Sequence, residues 1–232
     1  MAIKPILFNM EMVRAILDGR KTCTRRIVKD GIPDDAMWGY TAFTPKGYIS
    51  CRGVYADGYG EGFYKLPYQP GDILYVRETW QYLYELDGNE QVIEDTGKYY
   101  YAATDTIPFD AYVDENGVTH DHTPWRPSIH MPKEAARIWL KVTDVRVERL
   151  QEITEEGAIR EGAEGEECHH TNVGAFGCTD CMNTGWIEPP QVGFMQIWDS
   201  TIKKSDIDRY GWDANPYVWV IEFERCEKPQ EV

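Results

Sequence analysis

Two groups of residues in this chain have the types and spacing to do chemistry. The first is the octapeptide Gly19-Arg20-Lys21-Thr22-Cys23-Thr24-Arg25-Arg26. Residues 14–29 hold Arg14, Arg20, Lys21, Arg25, Arg26 and Lys29 against Asp18 alone, in a chain of formal charge -15. Crowded cations repel one another, so the segment points to an anionic or electron-rich partner. The same repulsion, with some desolvation, lowers the pKa of a lysine and lets it act as a base. Thr24 lies three residues after Lys21, and a threonine hydroxyl is a nucleophile only when a base takes its proton. The bland alternative is that the cations settle a helix C-terminus or bind phosphate, with Thr24 a turn residue.

The second group is Cys168, His169, His170, Cys178 and Cys181. Cys178-Thr179-Asp180-Cys181 is a Cys-x-x-Cys knuckle, and Cys168 with one histidine, taken as His170, completes four ligands. Three thiolates and an imidazole suit a closed, structural, tetrahedral zinc site. The surrounding segment, from about 165 to 185, is too poor in apolar residues to fold unaided, so the metal would organise it and chelation would disorder it alone. A redox dithiol or unrelated cysteines are the alternatives. No His-x-Glu precedes the cysteines, which excludes a nucleoside-deaminase zinc site. Cys23, Cys51 and Cys226 are expected to be buried and free.

The elements that must position these groups follow from periodicity and capping. Ile6-Leu7-Phe8 reads as a strand, and Asn9 caps a helix through Asp18 with an apolar stripe of Met12, Val13, Ile16 and Leu17. Gly19 ends it in a left-handed conformation, which places Lys21 just past a helix end. Gly71-Asp72 forms a turn before the strand Ile73–Arg77. Tyr99–Tyr101 is a further strand, Asp114–Gly117 a tight hairpin turn, and Trp125–Pro132 an extended segment. Arg137–Leu150 is the longest strand, with a parity change near Thr143-Asp144 that suggests a bend. Thr154 caps a helix opened by Glu155 and Glu156. Phe194, Ile197, Trp198 and Ile202 recur at helical spacing, and Tyr217–Phe223 closes the chain as a strand. Short strands, a few helices and long loops define an α+β class built on a curved sheet or barrel.

Length and composition bound the rest. The 232 residues include eight Trp and fifteen Tyr, enough to fill a core and leave rings for stacking. No apolar run approaches the ~20 residues that span a bilayer, and the N-terminus lacks a secretory pattern, so a cytoplasmic, reduced protein with no membrane partner is expected. Overall acidity argues against broad, non-specific duplex binding.

Several of these blocks are familiar in order. Ile16–Arg26 resembles the signature of the ASCH domain, a relative of the PUA RNA-binding barrel. Gly71–Glu78 resembles the second block of that family and Tyr217–Phe223 its last, while Trp125-Arg126-Pro127-Ser128-Ile129-His130-Met131 is similar to a phage and prophage branch. The resemblance spans roughly the first 30 residues, 66–80 and 125–225 of one domain over 1–232. Insertions at about 30–66 and 81–124, and the knuckle at about 165–185, interrupt it. It implies a PUA-like β-barrel with flanking helices and a cleft around the lysine turn, recognising RNA or a modified nucleoside. In more detail, Gly19–Thr24 matches the motif of the N4-acetylcytidine amidohydrolases, which implies catalytic roles for Lys21 and Thr24. Aligning Ile153-Thr154-Glu155 with the helix start of those enzymes carries their glutamate onto Glu161. The chain is about twice as long as such small hydrolases.

Three functions remain open on this reading. One is hydrolysis of an N4-acyl cytosine amide by Lys21, Thr24 and Glu161. Another is a non-catalytic nucleic-acid module, with Arg20, Arg25, Arg26, Arg77, Trp80, Trp125 and Arg126 as the binding surface. The third is a zinc-stapled interaction protein of phage morphogenesis. If Lys21 serves chemistry rather than folding, Lys21→Ala should barely change the melting temperature.

Overall fold

The computed structural model describes residues 1–232 apart from 30, 86–88, 90–92, 108–111, 114–117, 121–123, 171–172, 175–176, 183 and 231–232. The expected hairpin turn at Asp114–Gly117 lies outside the described residues.

The chain begins with β1 (Ile3–Leu7), α1 (Met10–Leu17) and β2 (Cys23–Ile27). A meander follows of β3 (Met37–Gly39), β4 (Tyr48–Tyr55) and β5 (Gly58–Lys65). Next come β6 (Ile73–Arg77), β7 (Trp80–Leu83), β8 (Lys98–Tyr101), β9 (Tyr112–Val113) and β10 (Thr119–His120). The long strand β11 (Trp139–Arg149) leads into α2 (Glu155–Arg160). The segment between α2 and α3 carries β12 (Glu166–Glu167), β13 (Val173–Gly174), β14 (Gly177–Cys178) and β15 (Trp186–Glu188). Helices α3 (Pro190–Thr201) and α4 (Ile207–Tyr210) precede the last strand, β16 (Tyr217–Cys226). The class is α+β, mostly strands.

Two compact units divide the chain. The first comprises Met1–Asp18, Ile73–Lys141 and Arg225–Val232, and the second Gly19–Asp72 and Val142–Glu224. In the first, β1 runs parallel to β6, and the opening residues of β11 pair antiparallel with β6, Trp139 opposite Tyr75. Its core gathers Ile73, Trp80, Met131, Ala135, Ala136 and Trp139. Glu78, buried there, receives a two-pronged contact from Arg137, whose guanidinium also lies 4.0 Å from the Tyr101 ring centre. Where an extended Trp125–Pro132 was expected, Ser128–His130 makes a single 3-10 turn, started by Pro127 and followed by Pro132. Proline fixes φ near the helical value, which suits the start of such a turn.

In the second unit the remainder of β11 lies beside β16, and β16 pairs antiparallel with β2. The meander β3-β4-β5 forms a separate three-stranded sheet. Leu150, Ile153, Ala158, Phe194, Trp198, Val218 and Val220 form the core that joins α2 and α3 to one face of the β11-β16-β2 strands. Burying a side chain of this kind contributes about 1.5–3 kcal/mol. Among the described residues the strands of neither unit close on themselves into a barrel.

Candidate functional site

Lys21 and Glu161 both stand at helix ends. Asn9 accepts the Met12 N–H at 2.8 Å to start α1, Asp18 ends it, and Gly19 turns the chain at φ 77°. Thr154 accepts the Gly157 N–H at 3.0 Å to start α2, Glu161 ends it, and Gly162 turns the chain at φ 88°. A left-handed residue after a helix is most easily glycine, because no Cβ opposes it. The stretch after Gly19 is then laced to the end of α2. The Thr22 N–H donates to the Arg160 carbonyl at 2.8 Å. Lys21 Nζ donates to the Glu161 carbonyl at 2.7 Å and to Glu161 Oε2 at 2.5 Å. Arg20 donates to the Gly162 carbonyl and pairs with Glu164 at 3.2 Å.

Lys21 is 2% exposed and Glu161 6%, so this is a buried ion pair. Burial holds the Lys21 ammonium below its usual pKa, while the Glu161 charge and hydrogen bond oppose that shift. Removing the lysine forfeits a buried charge-assisted hydrogen bond, at about 2 kcal/mol. The expectation that Lys21→Ala would spare the melting temperature is therefore corrected: the lysine is part of the packed interior.

Arg25 also differs from its expected role. It was placed on a nucleic-acid surface, but it is 4% exposed, with Nη1 3.3 Å from Glu161 Oε1 and Nη2 3.2 Å from Glu148 Oε2. The cause is register. On β2, paired with β16, Cys23 opposes Glu222, Arg25 opposes Val220 and Ile27 opposes Val218. Alternate residues share a face, so Arg25 looks toward the core under α2 and α3, with its guanidinium 5.7 Å from the Phe194 ring centre. From Glu148 the charges continue. Arg146 bonds Glu148 at 2.6 Å and Glu222 at 2.6 Å, and Arg160 bonds Glu222 at 2.8 Å and the Thr22 hydroxyl at 3.1 Å. Glu148, Arg146, Glu222 and Arg160 were missed from sequence. A signal was present: Asp144, Arg146 and Glu148 alternate with Val145 and Val147, which marks one charged strand face.

Thr24 and Arg26 fall on the opposite face of β2. Thr24, opposite Ile221, is 1% exposed, and its hydroxyl is buried without a hydrogen-bond partner. The structure thus joins Lys21 to Glu161 and makes no hydrogen bond between either of them and Thr24. Arg26 donates to the Arg25 carbonyl, and burial lowers its pKa against the opposing charges of Glu161 and Tyr68. Cys23 is buried and free, its thiol pushed up to about 12 by burial and then by Glu161. Cys51 is buried and free as well, whereas Cys226 is only half-buried.

Arg77, Trp80, Trp125 and Arg126 belong to the first unit. Arg77 donates to the Met131 carbonyl at 2.7 Å, and Trp80 sits in the core with its indole nitrogen unpartnered. Arg126 is exposed, bridges Trp80 through the backbone and lies 5.3 Å from the Trp80 ring centre. Trp125 is half-buried.

The second expected group does come together. The ligand atoms of Cys168, His170, Cys178 and Cys181 all lie within 4.8 Å of one another. Cys168 Sγ is 3.4 Å from Cys178 Sγ, and Cys181 Sγ is 3.7 Å from His170 Nδ1. Tetrahedral zinc with thiolates at about 2.3 Å requires sulfurs about 3.8 Å apart, so the donor set fits one ion with sub-ångström to ångström adjustments. The backbone assists: His170 takes φ 52° and donates its N–H to Cys168 Sγ at 3.4 Å. The Cys181 N–H and then the His170 ring draw the Cys178 thiol down to about 6. At Cys168 the His170 N–H pulls the same way, but burial and the neighbouring thiols outweigh it and hold that thiol up at about 11. These four residues can hold a metal ion. All six cysteines are free thiols, and among the described residues no helix is long and apolar enough to cross a membrane.

Fold and sites together define an α+β protein with a buried lysine–glutamate pair and a compact Cys/His cluster. No family model, curated protein or solved structure matches the chain.

Proposed function

We propose that the chain is an ASCH-type, PUA-related protein that recognises a modified nucleoside, free or within RNA, and hydrolyses an N4-acyl cytosine amide. The observation that carries this reading is the buried contact between Lys21 Nζ and Glu161 Oε2. A lysine whose ammonium is disfavoured by burial can give up its proton, and the carboxylate in contact can receive and pass it on. In the proposed step Thr24 Oγ attacks the acyl carbon as Lys21 takes the hydroxyl proton. Glu161 relays a proton to the departing N4 amine, and water then hydrolyses the acyl-threonine ester to release the carboxylic acid. The unbonded Thr24 hydroxyl supports the nucleophile role, since a buried hydroxyl without a partner costs free energy and gains one on meeting a ligand. A structural zinc ion in the Cys/His cluster belongs to the same reading.

A second reading, a binding module without turnover, is favoured by a specific observation: Thr24 lies on the face of β2 opposite Arg25, and both ends of the Glu161 carboxylate are engaged by cations. Thr24→Val separates the two. It preserves shape and removes no hydrogen bond, so stability should stay level or rise slightly. Turnover of N4-acetylcytidine should fall at least about a hundredfold. Wild-type protein that turns over no acylated nucleoside would refute the hydrolase. Salt-dependent RNA binding involving the exposed Arg20 and Arg126 would then establish the module.

A further inference from the structure

The Cys/His cluster sits at the end of a hairpin that offers little else to hold it together. Between α2 and α3, the described core of this segment consists of Cys168, Cys178 and Cys181. Its stem is the ladder Glu166↔Glu188 and Glu167↔Trp186, interrupted by a register shift. A two-stranded ladder of this size is marginal in water. Yet the stem is fitted tightly to its surroundings. A Cβ at Gly165 would stand 2.7 Å from the Glu188 carbonyl oxygen, and one at Gly193 of α3 would stand 2.4 Å from the Glu164 carbonyl oxygen. Neither position has room for a side chain.

The stem also reaches α2. Trp186, on β15, donates its indole N–H to Glu155 Oε2 at 3.2 Å, at the first residue of that helix. At the other end of α2, Glu161 is held by Lys21, and Glu164, one residue before Gly165, is held by Arg20. Helix α2 has six residues. That is too short to be stable by propensity, so its geometry is set by what grips its ends.

We infer that a metal ion bound by Cys168 Sγ, His170 Nδ1, Cys178 Sγ and Cys181 Sγ braces α2 through the β12–β15 stem and so fixes where Glu161 stands. This rests on the zinc reading above. The ion replaces the missing core of the hairpin and draws the four donors into one closed shell. The stem then presents Trp186 to Glu155 as a fixed strut. His169, next to a ligand, has no part in the centre.

Hydrogen exchange read by mass spectrometry tests the brace on the full chain, as purified with zinc and after chelation. Metal analysis should give about one zinc per chain. Removing it should speed exchange at least tenfold in peptides covering 155–164 as well as in the hairpin, with recovery on adding zinc chloride. Peptides from 48–65, in the same unit, should not change. Trp186→Phe should keep its zinc and move the exchange of 155–164 toward the zinc-free rates. Zinc bound with unchanged exchange at 155–164 would overturn the brace and leave the zinc reading standing. Protein that binds no zinc, even when zinc is added, would remove both. Acceleration that extends to 48–65 would mean that the ion holds the whole unit, and would equally overturn a local brace.

Discussion

Glu161 should matter more to the fold than Lys21, although the two form one ion pair. Lys21→Met removes the lysine, but Glu161 keeps Arg25 at 3.3 Å, so the loss is that of a charged hydrogen bond, about 2 kcal/mol. Glu161→Gln removes the carboxylate charge that faces Lys21 and leaves Arg25 with Glu148 alone among its carboxylates. Its cost should reach the range for removing one partner of a buried ion pair, about 4 kcal/mol. The difference is roughly thirtyfold in the folded-to-unfolded ratio. Urea unfolding of the two variants measures it. The pH dependence gives an independent arm. Burial places the folded pKa of Lys21 below the unfolded 10.5, and removing Glu161 removes the main group that opposes this shift. The unfolded chain then binds more protons than the folded one, so the stability of Glu161→Gln should rise with pH between the depressed folded value and 10.5. Equal costs, a reversed order, or both variants within about 0.5 kcal/mol of wild type would refute the reasoning.

Two further outcomes follow from the same unit. Glu222 is held below the usual carboxylate range by the Arg160 hydrogen bond, so its contribution to stability is present above 4.5 and lost as pH falls through the folded value; Glu222→Gln should flatten the acid limb of an unfolding curve, and superimposable limbs would exclude the effect. Gly193→Ala, in the first turn of α3, should destabilise by about 1–3 kcal/mol because its methyl meets the Glu164 carbonyl, whereas the gain usual for a helical glycine would show that contact to be loose.

Local features were legible in the sequence. Asn9, Gly19 and Thr154 mark helix ends because capping acts within three residues, and all three act as expected. Cys178 and Cys181 announce themselves by adjacency. What was not legible is long-range pairing. Arg25 meets Glu161 across 136 positions and Arg146 meets Glu222 across 76, distances over which no spacing rule operates. The basic octapeptide looked like an exposed patch because its countercharges come from Glu148 on β11 and from Glu161 and Glu164 at and just past the end of α2. Summing charge along the chain therefore misjudged a segment that is close to neutral in three dimensions. Glu78 and Arg137 were overlooked for the same reason, since neither stands out among neighbours of mixed type.

The row of charges from Lys21 through Glu161, Arg25, Glu148, Arg146 and Glu222 to Arg160 has a consequence for how such a protein can drift. Glu161, Glu148 and Glu222 each serve two cations, Arg25 joins two carboxylates and Arg146 three. A neutral substitution at an inner member leaves two neighbours mismatched, and the repair must come from a position far away in the gene. Random single replacements at inner members are therefore filtered out, and this row changes by compensated steps or stays as it is, while the hydrophobic positions around it remain free to exchange one apolar side chain for another.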